Sequence, residues 1–185
     1  FTMDKNLSKS VIKVFVDLYK KKLIYKSIKL VNWDVVLKTA ISDLEVDQRE
    51  VNSKLYYIRY QIENSSNYVT IATTRPETML GDTAIAVNPK DKRYTNIVGK
   101  FAILPIVGRK LKIIQDEYAD PKQGTGAVKI TPAHDFNDFD VGKRQKLKMI
   151  NIFTDEGKIN KNAPHKYIGL DRIEARKKIL EELSE

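Results

Sequence analysis

The chain has 185 residues and an apolar content of 42%, which suits one compact domain with its own core and room for an appended arm. No apolar run approaches the roughly 20 residues needed to cross a bilayer, so we expect no membrane partner. The net charge of +9 indicates a polyanionic partner, although an ordinary lysine-rich surface explains it equally well.

The absence of cysteine excludes disulfides and cysteine-based zinc sites within these residues. It is compatible with a reducing compartment, and we expect a cytoplasmic protein. The sequence begins with Phe1 and carries no signal peptide, because Asp4 and Asp17 interrupt any apolar stretch and no small-residue cleavage site follows. We therefore expect a segment of a longer protein.

A helix is predicted over residues 8–22, because apolar side chains recur there at helical spacing. Ser8 is placed to cap its first turn. Residues 20–22 are lysines in its last turn, where cations suit the helix dipole; contact with phosphate is the less favoured alternative. The apolar positions are Val11, Ile12, Phe15, Val16 and Tyr19.

Short extended segments separated by Gly, Pro and Asn turns fill the middle of the chain and favour a barrel or a sandwich. Residues 55–62 alternate, and with 68–74 they predict a hairpin through a turn at 64–67. The side chains predicted to share one face are Tyr56, Ile58, Tyr60 and Ile62. The other extended segments are 30–34, 83–87, 101–106, 111–114, 127–131 and 149–153.

Two further helices are predicted after these strands. One runs from about Asp135 to Gln145, and the other from about Asp171 to Leu183. The second is amphipathic, with an apolar face formed by Ile173, Ile179, Leu180 and Leu183.

The sequence TTRPET, residues 73–78, marks a strand end with unusual chemistry. Pro76 cannot continue a central ladder, so the chain leaves the sheet there. Three hydroxyls and one guanidinium cluster at this point, from Thr73, Thr74, Thr78 and Arg75. On chemistry alone, a threonine-rich strand and turn is the favoured explanation of the segment, and a binding site is the alternative.

The sequence GTGAVKITPAHDFND, residues 124–138, carries a second polar cluster. Lys129 and Thr131 share one face of the predicted strand by its period of two. Asp135 and Asp138 lie three apart on the first turn of the next helix, so they also share a face. Helix capping by Asp135, and pairing of Asp138 with the positive helix end, are the structural alternatives.

His134, Asp135 and Asp138 are possible metal ligands that lie close together in the sequence, so a metal site is an alternative interpretation of residues 134–138. We do not favour it, because His165 is the only other histidine and a catalytic zinc usually takes three protein ligands. We expect no metal, and a structural or outer hydrogen-bonding role for His134.

Together, residues 73–82 and 124–138 resemble the editing-site strands of the class I aminoacyl-tRNA synthetases for valine, isoleucine and leucine. The resemblance covers most of the chain and is greatest to the valine type, whose sequences appear at residues 32–34, 39–46 and 129–135. The isoleucine type usually has Gly-His-Gly in place of Ala-His-Asp, and the leucine type usually lacks the Lys and Thr. One departure is Gln123, where the valine type usually has a Phe that covers the adenosine or substrate.

The resemblance implies an α+β fold, with a β-barrel-like editing domain of short, mostly antiparallel strands and peripheral helices. It implies hydrolysis of the ester of threonyl-tRNA(Val), without a cofactor. Such a step is needed because a hydrophobic pocket cannot strongly reject an isostere that only adds a hydroxyl; valine against threonine is a known instance. The implied partners are the 3′ end of tRNA(Val) carrying a misattached amino acid, and the rest of the parent synthetase.

The resemblance also assigns roles to individual residues. Asp138 would hold the α-ammonium of the substrate, since a carboxylate is its natural partner. The residues implied to position the terminal adenosine and ester are Thr73, Thr74 and Arg75. Those implied to contact the threonine side chain or to place water are Lys129, Thr131 and Asp135. Thr78 would shape the pocket against larger side chains.

The expected organisation has three parts: a helical lead-in and stalk over 1–34, an editing core over 35–168, and a helix over 169–185 that returns to the catalytic core. The chain has neither a His-Ile-Gly-His motif nor a Lys-Met-Ser-Lys-Ser loop, so aminoacylation and ATP binding would belong to the parent enzyme. The alternatives are an isoleucine-type editing domain, a non-catalytic tRNA-binding module, and a metal-dependent phosphoesterase built on His134, Asp135 and Asp138.

Overall fold

The computed structural model of the protein describes residues 3–184. The helices among these residues are α1 (Lys5–Lys20), α2 (Phe136–Arg144) and α3 (Arg172–Ser184). The strands are β1 (Asn32–Asp34), β2 (Thr39–Ile41), β3 (Tyr56–Ile62), β4 (Tyr68–Thr73), β5 (Ala84–Val87), β6 (Phe101–Ile103), β7 (Lys110–Gln115) and β8 (Ala127–Ile130). No helix of the described part is both long enough and apolar enough to cross a bilayer.

Six of the strands form one sheet, in the order β4-β3-β6-β7-β5-β8. Neighbouring strands are antiparallel except β5 and β7, which run parallel. The edge strands β4 and β8 lie beside each other, so the sheet curves until it nearly closes. The predicted α+β class, with a barrel-like core and peripheral helices, is confirmed.

Both faces of β5 are buried, and this places the sheet between two apolar layers. Ile85 and Val87 belong to the main core, together with the inward residues of β3. Ala84 and Ala86 belong to a smaller cluster on the other face, where Val141 of α2 packs. The small alanine side chains allow α2 to approach the sheet, and α2 begins beside the polar residues of the second motif.

The β3–β4 hairpin is confirmed, and its alternation is the one that the sequence predicts. Residues of β3 are buried and exposed in turn, with Ile58, Tyr60 and Ile62 inside. The helices predicted over 135–145 and 171–183 are confirmed as α2 and α3. The apolar face predicted for α3 is wrong in one respect: Ile173 is exposed, and Ala175 is buried with Ile179 instead, where α3 packs on the 3₁₀ turn Pro76–Gly81.

The strand predicted over 149–153 is wrong. Only Phe153 makes a β-bridge, to Ile159. Side chains take the place of a ladder: His134 accepts from the Ile152 amide, and the Asn160 amide group donates to two carbonyls of the segment. The apolar alternation of these residues reflects the burial of Ile152. Their backbone groups form hydrogen bonds with residues outside the segment rather than with a neighbouring strand.

The N-terminal helix begins earlier than predicted. The carboxylate of Asp4 accepts from the Asn6 and Leu7 amides, so Asp4 rather than Ser8 is the N-cap. The helix ends at Lys20, and Lys22 already has a positive φ of 59°, so only one lysine of the predicted run lies in the last turn. Its predicted apolar stripe is exposed throughout, and α1 therefore adds nothing to the core.

Candidate functional site

The two polar motifs meet in one cavity of about 450 Å³, which we call the motif cavity. Seven of the eight predicted site residues line it, namely Thr73, Thr74, Arg75, Thr78, Lys129, Asp135 and Asp138. They meet because β4, which ends at Thr73, lies beside β8, which carries Lys129. The eighth residue, Thr131, is buried behind the wall and does not line the cavity.

Lys129 is the centre of a buried polar network at the base of this cavity. Its Nζ donates to the hydroxyls of Thr78 (2.9 Å) and Thr131 (2.5 Å) and to Oδ1 of Asp82 (3.3 Å). A lysine ammonium has three donors, and here each has a protein acceptor. The period-two prediction that Lys129 and Thr131 face the same way is consistent with this contact.

Asp82 is a part of the site that the sequence analysis missed. Its carboxylate has no exposed surface and also accepts from the hydroxyls of Tyr60 (2.8 Å) and Thr131 (2.6 Å). Burial raises the pKa of Asp82, against the opposing influence of Lys129. The sequence signal that could have indicated Asp82 is an aspartate within an otherwise apolar stretch. A charged side chain buried in such a stretch needs polar partners.

Asp138 is a buried carboxylate that lines the cavity. Its side chain lies in the first turn of α2, and Oδ2 accepts from the Thr131 amide at 2.8 Å. Burial raises the pKa of Asp138 to about 6, although the Thr131 hydrogen bond and the charge of Lys129 act in the opposite direction. Asp138 is therefore mainly ionised at neutral pH and can pair with a cation that enters the cavity.

Asp135 caps α2, as one of the sequence alternatives proposed. Its Oδ1 accepts from the amides of Asn137 (2.9 Å) and Asp138 (3.1 Å). The same residue lines the motif cavity, so the capping geometry leaves its carboxylate at the wall. The cap also fixes the helix turn on which Asp138 stands.

Arg75 lies at the boundary between the motif cavity and a neighbouring cavity of about 730 Å³. Its Nη1 donates to the carbonyl of His134 at 2.9 Å, and its amide donates to the Thr73 hydroxyl at 3.1 Å. The contact with His134 ties the first motif to the second. The guanidinium is about half exposed, with a side-chain exposure of 45%.

His134 has a structural role in this arrangement. Its Nε2 accepts from the Ile152 amide, and its ring packs edge-on against Phe153. Burial lowers the pKa of His134 to about 4, assisted by Arg75, so the imidazole is neutral. Within residues 3–184, no three His, Cys, Asp or Glu side chains are grouped so that they could hold a metal ion.

Tyr118 is a wall residue that the sequence analysis missed. It lines the motif cavity together with Gln123 and Gly124. Burial and the charges of Asp138 and Asp135 raise the pKa of the Tyr118 phenol. An aromatic side chain is thus present at the wall where Gln123 replaces the usual Phe, but no periodic pattern in the sequence indicated it.

Comparison with known proteins identifies the family. The model of class I tRNA synthetases (I, L, M and V) matches residues 1–183. The chain is 75% identical to the valine–tRNA ligase of Pelagibacter ubique and 56% identical to that of Thermotoga maritima, over 185 residues in each case. Each match covers the whole chain but 21% of the relative, so the chain spans only that share of these ligases.

A solved structure supports the fold. The LeuRS of Agrobacterium radiobacter K84, in a ternary complex with tRNA and LeuAMS, matches 99% of this chain and 31% of its own, with a TM-score of 0.56 and 20% identity. The chain belongs to the class I tRNA synthetase family. The resemblance to a synthetase of the valine type, inferred from residues 32–34, 39–46 and 129–135, is confirmed.

Proposed function

We propose that this segment is the editing domain of a valine-type synthetase and hydrolyses the ester of threonyl-tRNA(Val). The observation that carries the proposal is the buried carboxylate of Asp138, which stands at the wall of a polar cavity of about 450 Å³ beside Lys129 and Arg75. A cavity of this size and polarity suits one amino acid and part of a nucleoside.

Asp138 would bind the α-ammonium of the esterified amino acid. A cation that pairs with Asp138 compensates a carboxylate that is only 5% exposed, and such a charge-assisted hydrogen bond is stronger than a neutral one. The contact also distinguishes aminoacylated tRNA from the free 3′ end, which carries no amine. Asp138 is therefore assigned as the substrate anchor.

Selection of threonine over valine would depend on hydrogen bonds to its hydroxyl. All three donors of Lys129 are already occupied, so Lys129 and Thr131 would act by holding Thr78 and the cavity base in place. The hydroxyls of Thr73 and Thr74 and the Asp135 carboxylate line the cavity and are available to the substrate. Valine would leave such groups unpaired, which disfavours its binding.

The reaction needs no covalent intermediate with the protein. Water attacks the ester carbonyl, the bond to the ribose oxygen breaks, and that oxygen takes up a proton, so free threonine and a free tRNA 3′ end result. Arg75 would hold the terminal nucleotide while Asp138 holds the amine, and two fixed ends orient the ester between them. Positioning of this kind supplies a large share of the barrier reduction in many enzymes.

The proposal extends to the partners and organisation of the protein. The substrate is the 3′ end of tRNA(Val), and the reaction would take place in the cytoplasm with the rest of the synthetase attached. Residues 1–34 would form the lead-in and stalk, 35–168 the editing core, and 169–185 the return to the catalytic core. The exposed apolar stripe of α1 fits a stalk that packs on the parent enzyme.

The test is single-turnover hydrolysis of tRNA(Val) carrying radiolabelled threonine or valine by the full-length protein. AMP and pyrophosphate are omitted so that aminoacylation cannot reverse, and each reaction is repeated with a chelator. Fast, chelator-resistant release of threonine but not valine is expected. Chelator-sensitive release would instead indicate a metal-dependent esterase, and tRNA binding without release of either amino acid would indicate a binding module.

A further inference from the structure

Glu77 is a buried carboxylate of the first motif, and the proposed editing reaction gives it no role. It follows Pro76 in a 3₁₀ turn and is only 1% exposed. Arg176 of α3 forms two hydrogen bonds to it, from Nε to Oε2 (2.8 Å) and from Nη2 to Oε1 (3.0 Å). Burial acts to raise the pKa of Glu77, but the hydrogen bonds and charge of Arg176 outweigh it and the pKa is lowered.

The same carboxylate also contacts a residue of the motif cavity. Nε of Arg75 lies 3.4 Å from Oε1 of Glu77, the oxygen that Nη2 of Arg176 also reaches. A guanidinium has five N–H donors, of which Arg75 gives one to Glu77 and one to the His134 carbonyl. The two contacts fix the plane of the Arg75 guanidinium and leave its remaining donors for a ligand in either cavity.

Arg176 is fixed in turn by the packing of α3. Its neighbour Ala175 and the next-turn residue Ile179 are buried in the main core, where α3 contacts the 3₁₀ turn that carries Glu77. Arg176 does not line the motif cavity or its neighbour. The chain Arg176–Glu77–Arg75 therefore connects a peripheral helix with the wall of the site.

We propose that Glu77 and Arg176 are a positioning pair for Arg75, so that the docking of α3 sets the geometry of the editing site. This inference rests on the proposed function. If Arg176 were absent, Arg75 would be the only guanidinium in contact with the buried Glu77 carboxylate. Glu77 would then draw the Arg75 guanidinium towards itself and away from the cavity. The bidentate contact from α3 satisfies Glu77 and so leaves Arg75 at the cavity wall.

The first test is Arg176→Met in the full-length protein, assayed for single-turnover release of threonine from tRNA(Val). We expect a loss of roughly 10- to 100-fold, since misplacement of a group remote from the chemistry has effects of this order. Lys177→Met is the matched control, because it removes a positive charge from the exposed side of the same helix and should change the rate less than about twofold.

A double-mutant cycle separates positioning from other effects. With Arg75→Ala already in place, Arg176→Met should lower the rate by no more than about twofold, because Arg176 then has no Arg75 guanidinium to position. Multiplicative losses would overturn the proposal, since Arg176 would then act by another route.

A folding defect is tested with Glu77→Leu combined with Arg176→Leu. Replacement of a buried ion pair by apolar residues is often neutral for stability, so this variant is expected to melt near the parent protein. The proposal predicts that its deacylation remains low, whereas a return of the parent rate would show that the pair serves only stability.

A readout without turnover keeps this inference separate from the proposed function. The Arg75 Nε–H proton, observed by NMR with labelled arginine, should exchange with water more slowly in Arg176→Met than in the parent, because Glu77 then holds this N–H more tightly. If the parent protein did not hydrolyse either ester, only the proposed function would be disproved. Unchanged exchange at Arg75 in Arg176→Met would remove the positioning pair, whatever the activity.

Discussion

Nζ of Lys129 lies 3.3 Å from Oδ1 of Asp82, a carboxylate with no solvent-exposed surface. Tyr60 and Thr131 donate to the same carboxylate, and Thr78 accepts from Lys129. The base of the motif cavity is thus a fully partnered polar network, with no buried side-chain polar atom of the described residues left without a hydrogen bond. Such networks fix a unique arrangement of the groups above them.

Asp82→Asn is expected to destabilise the protein by about 3–5 kcal/mol, because it leaves the Lys129 ammonium buried without a counter-charge. Urea unfolding measures the change, and the exposed Asp140→Asn on α2 is the control. Adding Lys129→Met should recover part of the loss. Equal stability of Asp82→Asn and the parent would mean that the ion pair does not support the fold.

Asp135→Asn tests whether Asp135 does more than cap α2. Asparagine caps helices about as well as aspartate, so the stability should stay within about 0.5 kcal/mol of the parent. The editing role predicts that threonine release nevertheless slows by roughly tenfold, the order of one lost transition-state contact. If Asp135→Asn released threonine at the parent rate, the role of Asp135 would be limited to capping α2.

The pH dependence of threonine release should follow Asp138. Its carboxylate must be charged to hold the ammonium, and its pKa is raised to about 6. Activity should therefore be half-maximal near pH 6 and nearly full above about pH 7, and it should fall tenfold per unit below about pH 5, once spontaneous ester loss is subtracted. His134 has a pKa of about 4 and cannot produce this limb. This fall in activity at low pH should be absent in Asp138→Asn. If the fall persisted in that variant, another titrating group would be responsible for it.

Gln123→Phe should tighten binding of the tRNA 3′ end. Gln123 lines the motif cavity, where Tyr118 is the only Phe, Tyr or Trp among the described lining residues. Stacking of a base on an aromatic ring contributes ~1–3 kcal/mol. We expect KM to fall by about fivefold or more. Gln123→Leu is the matched apolar control without a π face. Equal KM values for the two variants would exclude stacking at this position.

Local patterns predicted much of the fold and most of the polar residues that line the motif cavity. The alternation of β3 and β8 and the helical spacing of α2 depend on residues close in sequence, and these elements are as expected. The two motifs fall in one cavity because β4 and β8 lie side by side. Of the eight residues predicted for the site, Thr131 alone does not line the cavity, and its hydroxyl donates to Asp82.

What the sequence did not predict depends on partners distant along the chain. Asp82 is held by Tyr60, 22 residues away, and Glu77 by Arg176, 99 residues away. No period or propensity reports such pairs. The segment 149–153 was misassigned for a related reason, because its carbonyls are satisfied by Asn160 and Asn162 side chains, which an apolar alternation does not reveal.

The central claim is that the Asp138 carboxylate holds the free amine of a misattached threonine for hydrolysis. It is tested most directly by comparing threonyl-tRNA(Val) with N-acetyl-threonyl-tRNA(Val), which lacks the positive charge, in the parent protein and in Asp138→Asn. Spontaneous loss of each ester is subtracted.

In the parent we expect the acetylated substrate to react at least about 100-fold more slowly, the order of a lost charge-assisted contact of ~3 kcal/mol. In Asp138→Asn both substrates should react at one common low rate. Equal hydrolysis of the two substrates by the parent, or an unchanged preference in Asp138→Asn, would contradict the account.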